Sequence, residues 1–102
     1  MLVLNFVTEL KLKTKDMSNN RVIIDVRSEM EFMGGNVAGS INIPLQEVPN
    51  RLEEFKAMEN PILCCASGNR SGQAVQFLKS HGIECENGGG WMEVNYKMAQ
   101  QQ

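Results

Sequence analysis

Cysteine is scarce in this chain: three in 102 residues, an odd and small number for the disulfide framework of a small secreted domain. Cys64 and Cys65 are neighbours and are not expected to bond to each other, so reduced thiols in a reducing compartment are expected. His81 and Cys85 add side chains of zinc-ligand type, but the paired Cys-x-x-Cys spacing of a structural zinc site is missing, and no metal is expected. Long apolar runs are absent too, since nothing approaches the ~20 residues that cross a bilayer. Met1–Val7 is apolar but short, with no basic leader and no small-residue cleavage site, so it does not read as a secretion signal and a cytoplasmic location is expected. An excess of positive charge is also lacking. Ten Lys and Arg against twelve Asp and Glu leave a net charge of -2, which argues against nucleic acid or an anionic membrane as partner. There is no internal repeat, low-complexity tract or linker. What remains, 42% hydrophobic and 22% charged residues, is ordinary for one soluble domain over residues 1–102 with one modest core.

Residues 1–20 carry mixed signals. Phe6, Val7 and Leu10 have helical spacing, Leu10 and Leu12 alternate, and Asp16–Asn20 is turn-like. Val22–Val26 is a nearly continuous apolar run, the pattern of a strand buried on both faces of a parallel sheet. Ser28 and Glu31 form a capping box that starts a short helix, and Gly34–Gly35 stops it. Ile41–Asn42–Ile43, ending at Pro44, reads as a short edge strand. Val48, Leu52 and Phe55 define one helix face, with Pro49 tolerated in its first turn. Ile62–Cys64 is the next strand. Ala74, Val75, Phe77 and Leu78 make a helix face that ends at Gly82, with Ile83 folding back on Leu78 and His81 at the helix C-terminus, where positive charge is favoured. Ile83–Glu86 alternates like a last strand, Gly88–Gly90 is a flexible or closely approached backbone segment, and Trp91, Val94 and Met98 outline a final helix. Arg51, Glu53, Glu54 and Lys56 read as a solvated helix face, and Trp91 as a core plug. Strands alternating with helices imply a parallel α/β sheet of about four to five strands with helices on both faces.

The stretch Leu63–Gly72 carries the chemistry. An apolar strand delivers a thiol into a loop of small residues, and an arginine and a helix follow. In parallel sheets, ligands sit beyond the carboxyl ends of the strands, where this loop lies. The unpaired N–H groups of a helix's first turn and successive amides of a loop form an anion-binding nest. A thiol above such a nest and near an arginine should ionise readily and act as a nucleophile.

Four segments in order give this chain its family likeness: Ile24–Ser28 with Glu31–Phe32, Gly35–Pro44, Cys65–Ser71 and Gly89–Trp91. Together they resemble the rhodanese family of single-domain sulfurtransferases. Residues 22–91 form the motif-bearing core and residues 1–20 match poorly. Asn36 stands where the second motif usually has histidine, a change that should alter local packing and hydrogen bonding more than chemistry. The resemblance implies that Cys65 takes a sulfane sulfur from a small anion such as thiosulfate as a persulfide, then hands it to a thiol, to cyanide or to an acceptor protein, with no cofactor. Ala66, Ser67, Gly68, Asn69 and Arg70 would bind the substrate, the amides of 66–70 holding the thiolate and persulfide, with Arg70 adding charge or bracing the loop. Asp25, Arg27 and Ser71 would support the loop. For Asp25 and Arg27 a structural pair with an indirect effect is the preferred reading, and hydrogen bonds to the loop the alternative. The arginine follows Cys65 after four intervening residues, the spacing of sulfurtransferase loops. Counted from Cys64, the spacing is that of cysteine phosphatases and arsenate reductases, which leaves that chemistry as an alternative alongside a sulfur-relay module for partner proteins. Cys85 reads as a packed thiol, with a weaker reading as a resolving cysteine.

Overall fold

A computed structural model describes residues 21–100; the expectations for residues 1–20 lie outside the described residues. Strand β1, Ile23–Asp25, is buried along its whole length, as a two-faced apolar run requires. Helix α1, Glu29–Met33, starts where the capping box places it. Ser28 Oγ accepts from Glu31 N at 3.1 Å, and Glu31 Oε1 accepts from Ser28 N at 3.0 Å. Gly34 caps its far end. Strand β2, Ile41–Asn42, lies at the sheet edge. Pro44 follows it without leaving a gap in the ladder, because the N–H groups either side of it, Ile43 and Leu45, bond Asp25 O and Val26 O at 3.0 Å each.

The expected Val48–Phe55 helix is divided. Leu45–Arg51 is a 3₁₀ helix, and only α2, Leu52–Lys56, is α-helical. Pro49 sits in the middle of the 3₁₀ run rather than in the first turn of an α-helix. Its missing N–H removes one i→i−4 bond and its ring crowds the carbonyl of the preceding turn, so the α-helix begins three residues later. The apolar face survives the change, with Val48 and Phe55 buried and Leu52 packed on the core.

Strand β3, Ile62–Cys65, runs between β1 and the last strand, and α3, Asn69–Ser80, follows it. The end of α3 is the expected Schellman turn: Gly82 has φ +77°, its N–H bonds Lys79 O at 2.9 Å, and Ile83 N–H bonds Leu78 O at 3.0 Å. Strand β4 is displaced from Ile83–Glu86 to Glu86–Gly90. Ile83 and Cys85 do turn inward, but as a lead-in to the core and not as sheet. The glycine stretch pairs instead, with a register shift opposite Leu63/Cys64 that accommodates one extra residue. Glycine is needed there. A Cβ on Gly88 would stand 2.7 Å from Ile62 Cγ2 and 2.9 Å from Val94 Cγ2, and one on Gly90 would stand 2.9 Å from Ala66 O. Close approach, not flexibility, explains the run. Helix α4, Trp91–Gln100, closes the described chain.

Among the described residues the sheet has four strands, all parallel, in the order β2-β1-β3-β4. Alternation along β1 and β3 divides the core into two layers. Ile24, Val26, Leu63 and Cys65 face Val48, Phe55, Ala74, Val75 and Leu78, so the 3₁₀ segment, α2 and α3 cover one side. Ile23 and Cys64 face Val37 and Val94, so α4 covers the other. Phe55, Leu63 and Leu78 are wholly buried, each contributing roughly 1.5–3 kcal/mol of gross transfer energy. Among the described residues, no helix is long and apolar enough to cross a membrane.

Candidate active site

Cys65 ends β3 at the carboxyl edge of the sheet, and Ala66–Gly68 turn the chain into α3. Gly68 makes the turn with φ +99° and offers no side chain to cap the helix. The sulfur takes that role. Cys65 Sγ accepts from Gly68 N at 3.0 Å and from Ser71 N, the third residue of α3, at 3.4 Å. An N-cap oxygen normally occupies this position, so the helix's unspent donors and its dipole converge on a sulfur atom. Burial pushes the thiol pKa up. The Ser71 hydroxyl and the N–H groups of Ser71, Gly68 and Ser67 together outweigh burial, and the pKa lies below that of an ordinary thiol. Of the five loop residues expected to line the site, Gly68 and Ser67 direct amides at the sulfur. Ala66, Ser67 and Asn69 are exposed on the rim, and Gly68 and Arg70 are half-buried. Ser71, expected only as loop support, touches the sulfur with both its N–H and its hydroxyl.

Asn87 is a site residue that sequence reasoning missed. Its Nδ2 donates to Gly68 O at 3.1 Å, and its Oδ1 accepts from Gly89 N at 2.9 Å and from Ser71 Oγ at 2.7 Å. The two backbone partners fix which end of the amide is oxygen. While Cys65 is protonated, Ser71 therefore donates its one hydrogen to Asn87; when the sulfur is ionised, the same hydroxyl can turn to donate to Cys65 Sγ at 3.4 Å. The available signal was an asparagine directly before glycines in a strand position, which reads more readily as a turn.

Arg70 turns away from the role of a bare cation over the thiol. Its two Nη atoms donate to Glu31 Oε1 at 2.8 Å and Oε2 at 3.0 Å, bracing the start of α3 against α1. Those bonds first, with the Ser28 amide second, hold the Glu31 carboxyl down to about 2. Glu31 was legible only as a helix cap. Its second role needed the tertiary fold.

Asp25 and Arg27 form the expected structural pair. Arg27 Nε and Nη2 reach both carboxylate oxygens at 2.8–3.0 Å, and Arg27 N bonds Asp25 Oδ1 at 3.0 Å. Both side chains are nearly inaccessible. Their further contacts run to Gly35 O at 2.6 Å and to the face of Trp91, 4.8 Å from the ring centre. Among the described residues, neither side chain hydrogen-bonds the Cys65 loop, because the guanidinium is turned toward Gly35 and Trp91. Trp91 is a shelf for Arg27 as well as a core residue.

Cys64 points into the opposite layer, fully buried. Burial first, then the nearby Asp25 carboxylate, pushes its thiol up to about 12. A nucleophile there, as the phosphatase register requires, would be protonated and enclosed. Cys85 is buried beside Val75 O with its pKa also raised by burial. His81 caps α3, with its ring Nδ1 3.1 Å from Phe77 O. Asn36 is exposed and donates to Phe32 O at 2.8 Å, finishing α1.

A parallel sheet with a cysteine held at the N-terminus of the helix after its central strand defines the class: an α/β domain with an anion cradle around sulfur. The chain belongs to the rhodanese family, since the rhodanese-like domain model matches residues 8–96. That match begins further toward the N-terminus than the motif-bearing core. The chain is 40% identical over 60 residues to the uncharacterized protein YqhL of Bacillus subtilis, covering 59% of this chain and 48% of that protein. It is 36% identical over 74 residues to the thiosulfate sulfurtransferase PspE of Escherichia coli, covering 70% and 71%. Among solved structures, protein SSP1007 of Staphylococcus saprophyticus superposes with a TM-score of 0.69 at 37% identity, over 87% of this chain and 88% of that one. The chain thus spans about half the length of YqhL and more of the other two.

Proposed function

We propose that this domain transfers sulfane sulfur through a persulfide on Cys65. In the first half-reaction the Cys65 thiolate attacks the outer sulfur of a donor such as thiosulfate. A new S–S bond forms to Cys65, the donor's S–S bond breaks, and sulfite leaves with the electron pair. In the second, a thiolate or cyanide attacks that outer sulfur and Cys65 leaves as thiolate. No proton transfer to the leaving group is required in either half. The amides need only hold negative charge, first on Sγ and then on the persulfide. Ala66, Ser67 and Asn69 form the open rim through which donor and acceptor enter, Gly68 and Ser71 hold the sulfur, and Asn87 holds Gly68 and Ser71.

The observation that carries this reading is the convergence of Gly68 N–H and Ser71 N–H on Cys65 Sγ, with the net lowering of its pKa. The test is intact mass after incubation with thiosulfate. The protein should gain ~32 Da, one sulfur, and produce thiocyanate from cyanide. Cys65→Ala should do neither, and Cys64→Ala should do both. A wild-type protein that stays unmodified refutes the proposal. The exposed rim also favours a relay in which donor and acceptor thiols belong to partner proteins. Poor thiosulfate turnover with rapid persulfide uptake from a desulfurase would single out that variant of the same chemistry.

A further inference from the structure

Every arginine among the described residues has a carboxylate partner: Arg21 with Glu86, Arg27 with Asp25, Arg51 with Glu47 and Glu54, Arg70 with Glu31. Arg70 is the one whose pairing bears on the reaction. It lies in the first turn of α3, five residues after Cys65. Its guanidinium pKa is raised first by the Glu31 hydrogen bonds and also by the negative charge of Cys65, so it shares a field with the sulfur. Yet both Nη atoms are committed to Glu31 in a two-pronged contact. Glu31 is itself held in place by Ser28 N–H, so the carboxylate does not swing away with its own helix intact. A second carboxylate stands close by. Glu93 Oε1 lies 3.0 Å from where a Cβ on Gly89 would be, and Gly89 Cα lies 3.2 Å from where a Cβ on Gly68 would be. Among the described residues, the side chains around the cradle therefore present no net positive charge, and the attraction for an anion rests on uncharged donors, the backbone amides and the Ser71 hydroxyl.

That balance matters unequally to different sulfur donors. Attack on thiosulfate brings a monoanionic thiolate onto a dianion. Attack on a hydropersulfide, RS–SH, brings the same thiolate onto a neutral group. There the Cys65–S bond forms, the RS–S bond breaks, RS⁻ leaves with the electron pair, and the proton stays on the transferred sulfur. We propose that the Glu31–Arg70 pair sets donor specificity, cancelling the one side-chain cation that the described residues bring to the mouth and turning the site from thiosulfate toward sulfane sulfur carried on thiol compounds. The inference rests on the Cys65 persulfide reading and adds the donor class to it.

Glu31→Gln isolates the charge. Glutamine keeps an oxygen for Ser28 N–H, so the capping box persists, while Arg70 loses its counter-charge. The first readout needs no sulfur transfer: the ratio of Cys65 alkylation rates with iodoacetate, a monoanion, and iodoacetamide, which is neutral. Any change in thiol pKa cancels in this ratio. At low salt Glu31→Gln should raise it about threefold, Arg70→Met should lower it about threefold, and the double variant should return to the wild-type value, since one unit charge is added, removed and restored at a partly exposed site. In 1 M salt, where the screening length is ~3 Å, the differences should collapse. The second readout is kcat/KM. For thiosulfate, twice charged, Glu31→Gln should gain about ninefold, the square of the alkylation effect, while the value for a neutral hydropersulfide changes less than about twofold. An alkylation ratio indifferent to Glu31→Gln overturns the inference whatever sulfur chemistry the protein performs, as does an equal gain for both donors. A ratio that moves as stated in a protein that forms no persulfide with either donor overturns the transfer reading, and the donor assignment falls with it.

Discussion

The Ser71 hydroxyl has one hydrogen and two claimants for it. With Cys65 protonated, that hydrogen belongs to Asn87 Oδ1 at 2.7 Å. Once the sulfur is ionised, the hydroxyl can rotate to donate to Sγ at 3.4 Å. A hydrogen bond to a charged acceptor contributes about 1.5–3 kcal/mol, and the neutral bond forfeited about 1 kcal/mol. The net gain for the thiolate is about 0.5–2 kcal/mol, or about 0.4–1.5 pKa units at 1.36 kcal/mol per unit. Ser71→Ala removes this gain and leaves the Gly68 and Ser71 amides in place. The Cys65 pKa should therefore rise by that amount while staying governed by the amides. The assay is the second-order rate of iodoacetamide alkylation against pH, with the labelled peptide identified by mass. An unchanged midpoint in a protein with an unchanged melting temperature would show that the hydroxyl never leaves Asn87. A rise well beyond two units would show that the hydroxyl, not the amides, holds the charge.

Gly68→Ala forces a side chain into a left-handed turn at φ +99° and to 3.2 Å from Gly89 Cα; denaturant unfolding should show a loss of about 1–3 kcal/mol, and the variant's thiolate should form at higher pH as the amide is displaced. Asp25→Ala leaves the Arg27 guanidinium buried without its counter-ion, and should cost about 3–5 kcal/mol in the same measurement. Asn87→Asp retains an acceptor for Ser71 and Gly89 N–H, loses the donor to Gly68 O, and adds negative charge near the sulfur. The alkylation midpoint should move up, and a fall would contradict the clamp. Glu31 has a depressed pKa, so its contribution to stability is present above the ordinary carboxylate range and disappears as pH falls through about 2. The stability difference between wild type and Glu31→Gln, followed by denaturant titration, should accordingly shrink as pH falls from 5 to 2.

The parts of the fold that depend on local rules were legible in the chain. The Ser28/Glu31 box, the Gly82 turn and the short apolar runs that form β1 and β3 each follow from residues close to one another in the chain. The division of the Val48–Phe55 helix was missed because Pro49 has opposite effects at the two ends of one apolar face. Strand β4 was missed for a different reason: its glycines have little strand propensity and are required by the nearby Val94 side chain and, distant in sequence, by the backbone of Ala66 and the side chain of Ile62. The nucleophile was visible because a strand, a small-residue loop and a helix start lie in sequence around Cys65. Asn87 and the second role of Glu31 were not visible, since their partners lie 16 to 39 residues away.

The central claim is that amides at the start of α3 hold the Cys65 sulfur as an anion. Its most direct test is the titration of that thiol in the folded protein, by thiolate absorbance with Cys64 and Cys85 replaced by alanine. The account predicts a midpoint below that of an unperturbed thiol, about 8.5, that returns to or above this value in Gly68→Ala. A midpoint at or above 8.5 in the otherwise native chain would contradict it.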